Sequence, residues 1–203
     1  MIDIKSLSRA ARTKRRYDAV ISVEDPSTRR KLRFHRTPHP DHLVLRLEDI
    51  DGHEQDLAGP HIHHVEQALA FAREHVDGRL LVHCHAGVCR STALGLAIIA
   101  DRLGEGMEPL AVDTLLASNP DAVPNSIMVE MADEVLGREG RLIEAWNAKE
   151  VGNASLAAYR KKKLKFLDEE RYRFAVRPLD GFYPAARAMP DRLGLSLCLV
   201  RAP

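Results

Sequence analysis

The chain has 203 residues, an apolar fraction of 45% and a formal net charge of +1. Its length suits one domain with a sizeable core, and its apolar fraction is ordinary for a globular protein, which excludes extended disorder. The near-neutral balance excludes a global attraction to nucleic acid or an anionic membrane, and no apolar stretch is long enough to span a bilayer. Three cysteines, Cys84, Cys89 and Cys198, do not make the framework of a small disulfide-stapled domain. The basic residues from Lys5 to Arg16 are not joined to an apolar run, so no signal peptide is read there and the cytoplasm is the expected location.

In chain order, residues 18–23 (DAVISV) predict a short buried strand, followed by a turn at Pro26 and a basic, His-rich surface excursion over residues 29–42. Residues 43–47 (LVLRL) alternate apolar and polar, as a second strand does. After Pro60, Val65, Leu69, Ala72 and Val76 recur at helical spacing, and Asp77-Gly78 closes that helix. Residues 80–84 (LLVHC) form a short apolar strand, and residues 91–103 a strongly apolar helix that ends at Gly104. Further helices are expected over residues 109–118, from the N-cap Asn125 to Gly137, and over residues 143–149.

Strands come early and helices accumulate later, so the expected fold is α/β: a mainly parallel central sheet flanked by helices, with the site at the carboxyl end of a strand. Residues 1–150 read as one domain. Residues 151–203 read as a tail, with a basic run (YRKKKLK, 159–165), an acidic patch (168–170) and an apolar end (LGLSLCLV) that holds Cys198 as a packing residue.

The segment from His83 to Thr92 (HCHAGVCRST) lies between a predicted strand and a predicted helix. In that setting successive backbone N–H groups can turn inward as an anion nest, backed by the positive end of the helix dipole. A thiol at Cys84 is stabilised there as thiolate, and so becomes a nucleophile. Arg90 supplies a planar fork that grips two oxygens of a phosphate at once, which a lysine does not. Gly87 permits positive φ or close backbone approach, and Ser91 brings a hydroxyl towards the sulfur.

His83-Cys84, five residues, then Arg90-Ser91 resembles the H-C-x5-R-S/T signature of the cysteine-based protein tyrosine and dual-specificity phosphatases, and residues 18–140 are similar to the compact bacterial tyrosine-phosphatase-like group. The resemblance implies a cysteinyl-phosphate mechanism without metal or other cofactor. Cys84 is the nucleophile, and Arg90 with the backbone amides of His85, Ala86, Gly87, Val88, Cys89 and Arg90 binds the phosphate. His83 orients the loop, and Ser91 stabilises the departing thiolate. It also implies an aspartate acid on a loop upstream of the cysteine. Asp49 and Asp51 both fit: the Asp49-Ile50 step of the bacterial group favours Asp49, spacing in the compact dual-specificity enzymes favours Asp51, and of the two Asp49 is preferred, with Asp56 third. Asn125 is either a support for the phosphate loop or a plain helix cap. The Cys84-x4-Cys89 spacing is similar to the loop of the low-molecular-weight phosphatases, where the second cysteine can trap the first as a disulfide. His61, His63 and His64 lack ligand-spaced partners and are not read as a metal site.

The expected partner is a phosphorylated protein or a small phosphomonoester, with neither nucleic acid nor membrane involved. Two readings from other classes stand beside it: a rhodanese-like sulfurtransferase, which would need no upstream aspartate, and a non-catalytic phosphate-binding pseudophosphatase.

Overall fold

The computed structural model describes residues 1–26, 39–50 and 59–165, the last four as backbone. Its sheet has four parallel strands, β1 (Ile2–Ser6), β2 (Ala19–Glu24), β3 (His42–Arg46) and β4 (Leu80–Cys84), in the order β1-β4-β2-β3. Parallel strands cannot be joined by tight hairpins and need longer connections; helix α1 (Leu7–Thr13) lies in the one from β1 to β2 and α2 (Ile62–Glu74) in the one from β3 to β4. Because strand side chains alternate between faces, Ile4, Ile21, Val23, Leu80, Val82 and Cys84 enter the main core. Val20 and Leu81 face the other way and pack with Ala10 and Tyr17 around α1.

Against the main face lies α3 (Arg90–Leu103), buried along its first eleven residues. A helix apolar all round belongs inside a layer of others, and α4 (Glu108–Ser118), α5 (Ser126–Val135) and α6 (Arg141–Val151) complete that layer. Gly95 lets α3 approach β1: a Cβ there would stand 2.2 Å from Ile4 Cδ1. The basic run forms α7 (Ala154–Lys165), which buries Leu156 and holds Arg160 between Glu150 (2.6 Å) and the Pro124 carbonyl (2.7 Å). No helix among the described residues is long and apolar enough to cross a membrane.

Strands β2, β3 and β4 and the predicted helices stand within a residue or two of expectation. Strand β1 and helix α1 were not foreseen. Val76 lies past the end of α2 and is 51% exposed, so it is not on the apolar face of that helix. His61 and His64 instead cap its start, His64 Nδ1 accepting the His61 backbone N–H at 3.0 Å. Asp51, Asp56, Cys198, the acidic patch and the apolar end of the chain lie outside the described residues.

Candidate active site

The strand–loop–helix unit expected around Cys84 is present, with β4 ending on Cys84 and α3 starting on Arg90. Three carbonyls of the intervening loop are held outward. The His85 carbonyl accepts Leu7 N–H at 3.1 Å, the Val88 carbonyl Val123 N–H at 2.9 Å, and the Cys89 carbonyl Ala93 N–H at 2.9 Å and Asn125 N–H at 3.4 Å. Thr92 Oγ1 adds bonds to the Val88 and Cys89 carbonyls. In a planar trans peptide the N–H points opposite the carbonyl, so the N–H groups of Ala86, Cys89 and Arg90 turn away from these braces, towards the loop interior. Gly87 takes φ +77°, and its backbone lies so close to β1 that a Cβ would sit 2.5 Å from Ser6 N.

Cys84 is 2% exposed. Its sulfur accepts Gly87 N–H at 3.2 Å and lies 3.1 Å from Ser91 Oγ. No disulfide joins Cys84 to Cys89. His83 is buried beneath the loop, its Nδ1 3.4 Å from the Cys84 carbonyl.

Arg90 is 4% exposed and already engaged. Its two terminal nitrogens donate to the Asp25 carboxylate at 2.9 and 3.1 Å, and Nη1 also donates to the Leu47 carbonyl at 2.7 Å. Nε is buried, has no hydrogen-bond partner among the described residues, and stands 3.9 Å from Asp49 Oδ2. Burial opposes its charge, but Asp25 and then Asp49 outweigh burial and hold the guanidinium charged above its ordinary range. Sequence reasoning missed Asp25. It reads as a turn residue before Pro26, and nothing local marks a partner 65 positions away.

Asp49 is anchored by a neighbour from α5. Asn125, fully buried, donates from Nδ2 to Asp49 Oδ1 (3.0 Å) and to the Ile50 carbonyl (2.8 Å), while its Oδ1 accepts Met128 N–H (3.1 Å) at the start of α5. The side chain is thus a cap of α5 that also ties down the Asp49–Ile50 segment, while only the Asn125 backbone N–H reaches the phosphate loop, at the Cys89 carbonyl. His85 and Ala86 are exposed at the mouth.

No family model and no curated protein matches the sequence. Solved structures do. Human DUSP28 superposes with a TM-score of 0.52 at 20% identity, over 68% of this chain and 94% of that one. A mouse protein named as a dual specificity phosphatase, solved with zinc tungstate, superposes with a TM-score of 0.50 at 19% identity, over 66% of this chain and 81% of that one. With its parallel sheet, its helical layer and a Cys-to-Arg loop at the end of the central strand, this chain has the fold of the dual-specificity phosphatases.

Proposed function

We propose that this chain is a cysteine-dependent phosphatase of the tyrosine and dual-specificity superfamily, hydrolysing phosphate monoesters through a cysteinyl-phosphate. The observation that carries the reading is the convergence on one loop of a sulfur bonded by Gly87 N–H and Ser91, inward N–H groups, and a buried Arg90 whose Nε has no hydrogen-bond partner among the described residues. An incoming phosphate gains that Nε and the inward amides, and takes over the Nη2 bond now made to Asp25. Cys84 Sγ attacks phosphorus in line as the ester oxygen leaves with a proton from an acid. Water then attacks the phosphocysteine, the acid's conjugate base takes the water proton, and Ser91 stabilises the released thiolate.

Asp49 fits poorly as the proton donor. Its Oδ1 already accepts the Asn125 amide at 3.0 Å and its Oδ2 faces Arg90 Nε at 3.9 Å, so both carboxylate oxygens are engaged within the site. We therefore assign Asp49 to anchoring its loop beside Arg90, and the proton transfer to Asp51. Tyrosine-phosphorylated, and also serine- or threonine-phosphorylated, proteins are the proposed substrates.

The test is hydrolysis of an aryl phosphate in the presence of chelator. Wild type turns over, Cys84→Ser abolishes turnover, and Asp51→Asn lowers kcat by about 10²-fold on substrates with poor leaving groups but little on activated ones. Equal sensitivity of Asp49→Asn to the leaving group would return the acid to Asp49. No turnover by folded, reduced wild type would favour the pseudophosphatase or sulfur-transfer reading.

A further inference from the structure

Beneath Cys84, on the α1 side of the sheet, three side chains from three strands form one line. His83 on β4 and Ser22 on β2 stand in register, and His83 Nε2 meets Ser22 Oγ at 2.6 Å. From β3, His42 Nε2 meets the same Ser22 Oγ at 2.7 Å. Ser22 is fully buried and His83 is 1% exposed. A serine hydroxyl has one proton and two imidazoles share it here, so at least one ring nitrogen must donate to the oxygen.

The direction of the chain follows from its far end. The Cys84 carbonyl can only accept, so the bond to it requires a proton on His83 Nδ1. A neutral His83 then has a bare Nε2, which accepts the Ser22 O–H, and Ser22 Oγ accepts His42 Nε2–H. Burial, with His42 nearby, lowers the pKa of His83 to about 4, which keeps the ring in that neutral form.

We propose that Ser22 and His42 are positioning residues for the nucleophile: their bonds fix His83 in the Nδ1–H tautomer, so that the ring donates to the Cys84 carbonyl and sets the first peptide of the phosphate loop. The opposite tautomer would put a lone pair against that carbonyl and turn the peptide, taking the loop's inward dipoles off the sulfur. The importance of this geometry for phosphate chemistry rests on the phosphatase reading above; the hydrogen-bond chain itself does not. The charged side chains at neighbouring positions on that face are Lys5 on β1, in register with His83, bonded to Tyr17 and 3.9 Å from Asp3, and the buried Glu24 on β2, two residues from Ser22 and in register with Arg46 on β3.

The experiment follows iodoacetamide modification of Cys84 against pH by intact mass, counting the adduct that Cys84→Ser abolishes. Ser22→Ala moves the alkylation midpoint up by about one pH unit, which is about tenfold slower modification below both midpoints, while Ser22→Thr retains the wild-type profile. His42→Ala moves it in the same direction, and His42→Gln, whose amide N–H can still donate, restores it. In ¹⁵N-histidine spectra of the wild type, His83 carries its proton on Nδ1. Wild-type profiles in both alanine variants, or a proton on His83 Nε2, would overturn the proposal. If Ser22→Ala fails to fold, His42→Ala on the edge strand and the wild-type spectra decide it alone. Shifted midpoints in a protein without phosphatase turnover would uphold the chain and refute the phosphatase reading.

Discussion

Replacing Asn125 by alanine separates the two tasks of this side chain. The substitution removes three buried hydrogen bonds, to Asp49, to the Ile50 carbonyl and from Met128 N–H. At about 1 kcal/mol net for each bond, the loss is about 3 kcal/mol, of which the cap to Met128 accounts for about 1 kcal/mol. For a chain of this size each kcal/mol moves Tm by about 2–4 °C, so Asn125→Ala melts about 6–12 °C lower. Asn125→Ser keeps a capping oxygen but has no amide to hold Asp49 and Ile50, and recovers only about 1 kcal/mol. Asn125→Asp also keeps the cap but sets a second carboxylate beside Asp49, so its deficit against wild type grows as pH rises through the carboxylate range. Calorimetry of the four proteins at matched pH reads these differences directly. A fall in Tm of less than about 2 °C in Asn125→Ala, or full recovery in Asn125→Ser, would refute the claim that this residue ties the Asp49 segment to α5.

Other expectations concern the loop and its surroundings. Asp25→Asn removes a negative charge that competes for the Arg90 fork, so inorganic phosphate inhibits that variant about three- to tenfold more tightly; weaker inhibition would make Asp25 a holder of Arg90 rather than its competitor. Gly87→Ala forces a Cβ into the β1 backbone at positive φ, costing at least about 2 kcal/mol of stability and abolishing aryl-phosphate turnover; a normally stable, active variant would show that the loop does not need the contact. Protonation of His83 is suppressed by folding, with a folded pKa of about 4 against an ordinary 6.5. Its contribution is therefore full above pH 6.5, declines as pH falls towards 4, and amounts to about 3 kcal/mol at most. Urea unfolding across that window should show a shallower slope in His83→Gln than in wild type, and identical slopes would count against a buried neutral ring.

The centre of the fold was legible because its signals are local. A five-residue apolar strand, a glycine-containing loop and an apolar helix stand in one stretch from Leu80 to Leu103, and the chemistry-bearing residues lie among them. Strand β1 was not legible, since Asp3 and Lys5 break its apolar content and, at the edge of the sheet, only Ile4 is buried. Asp25, Ser22 and His42 escaped for a different reason. Their partners stand 20 to 65 positions away in the sequence, and a carboxylate in a turn, a serine in a strand and one histidine among several carry no mark of such pairing. The acid was ambiguous because Asp49 and Asp51 stand two positions apart in the sequence, and spacing alone does not choose between them.

The strand order has a consequence for how such a protein comes to exist. The strand ending on Cys84 lies between β1 and β2, which precede it in the chain and do not pair with each other. The sheet therefore cannot close from its early strands; it waits for residues 80–84 to insert. Such long-range parallel pairing is slow, because chain entropy is lost before the contacts that compensate for it form. Closing the sheet therefore brings Cys84 into place before the loop is complete, because the loop also needs Val123 and Asn125 from further along the chain. The order of the strands thus ties the burial of Cys84 to residues on both sides of it in the sequence: β1 and β2 before it, and the segment around Val123 and Asn125 after it.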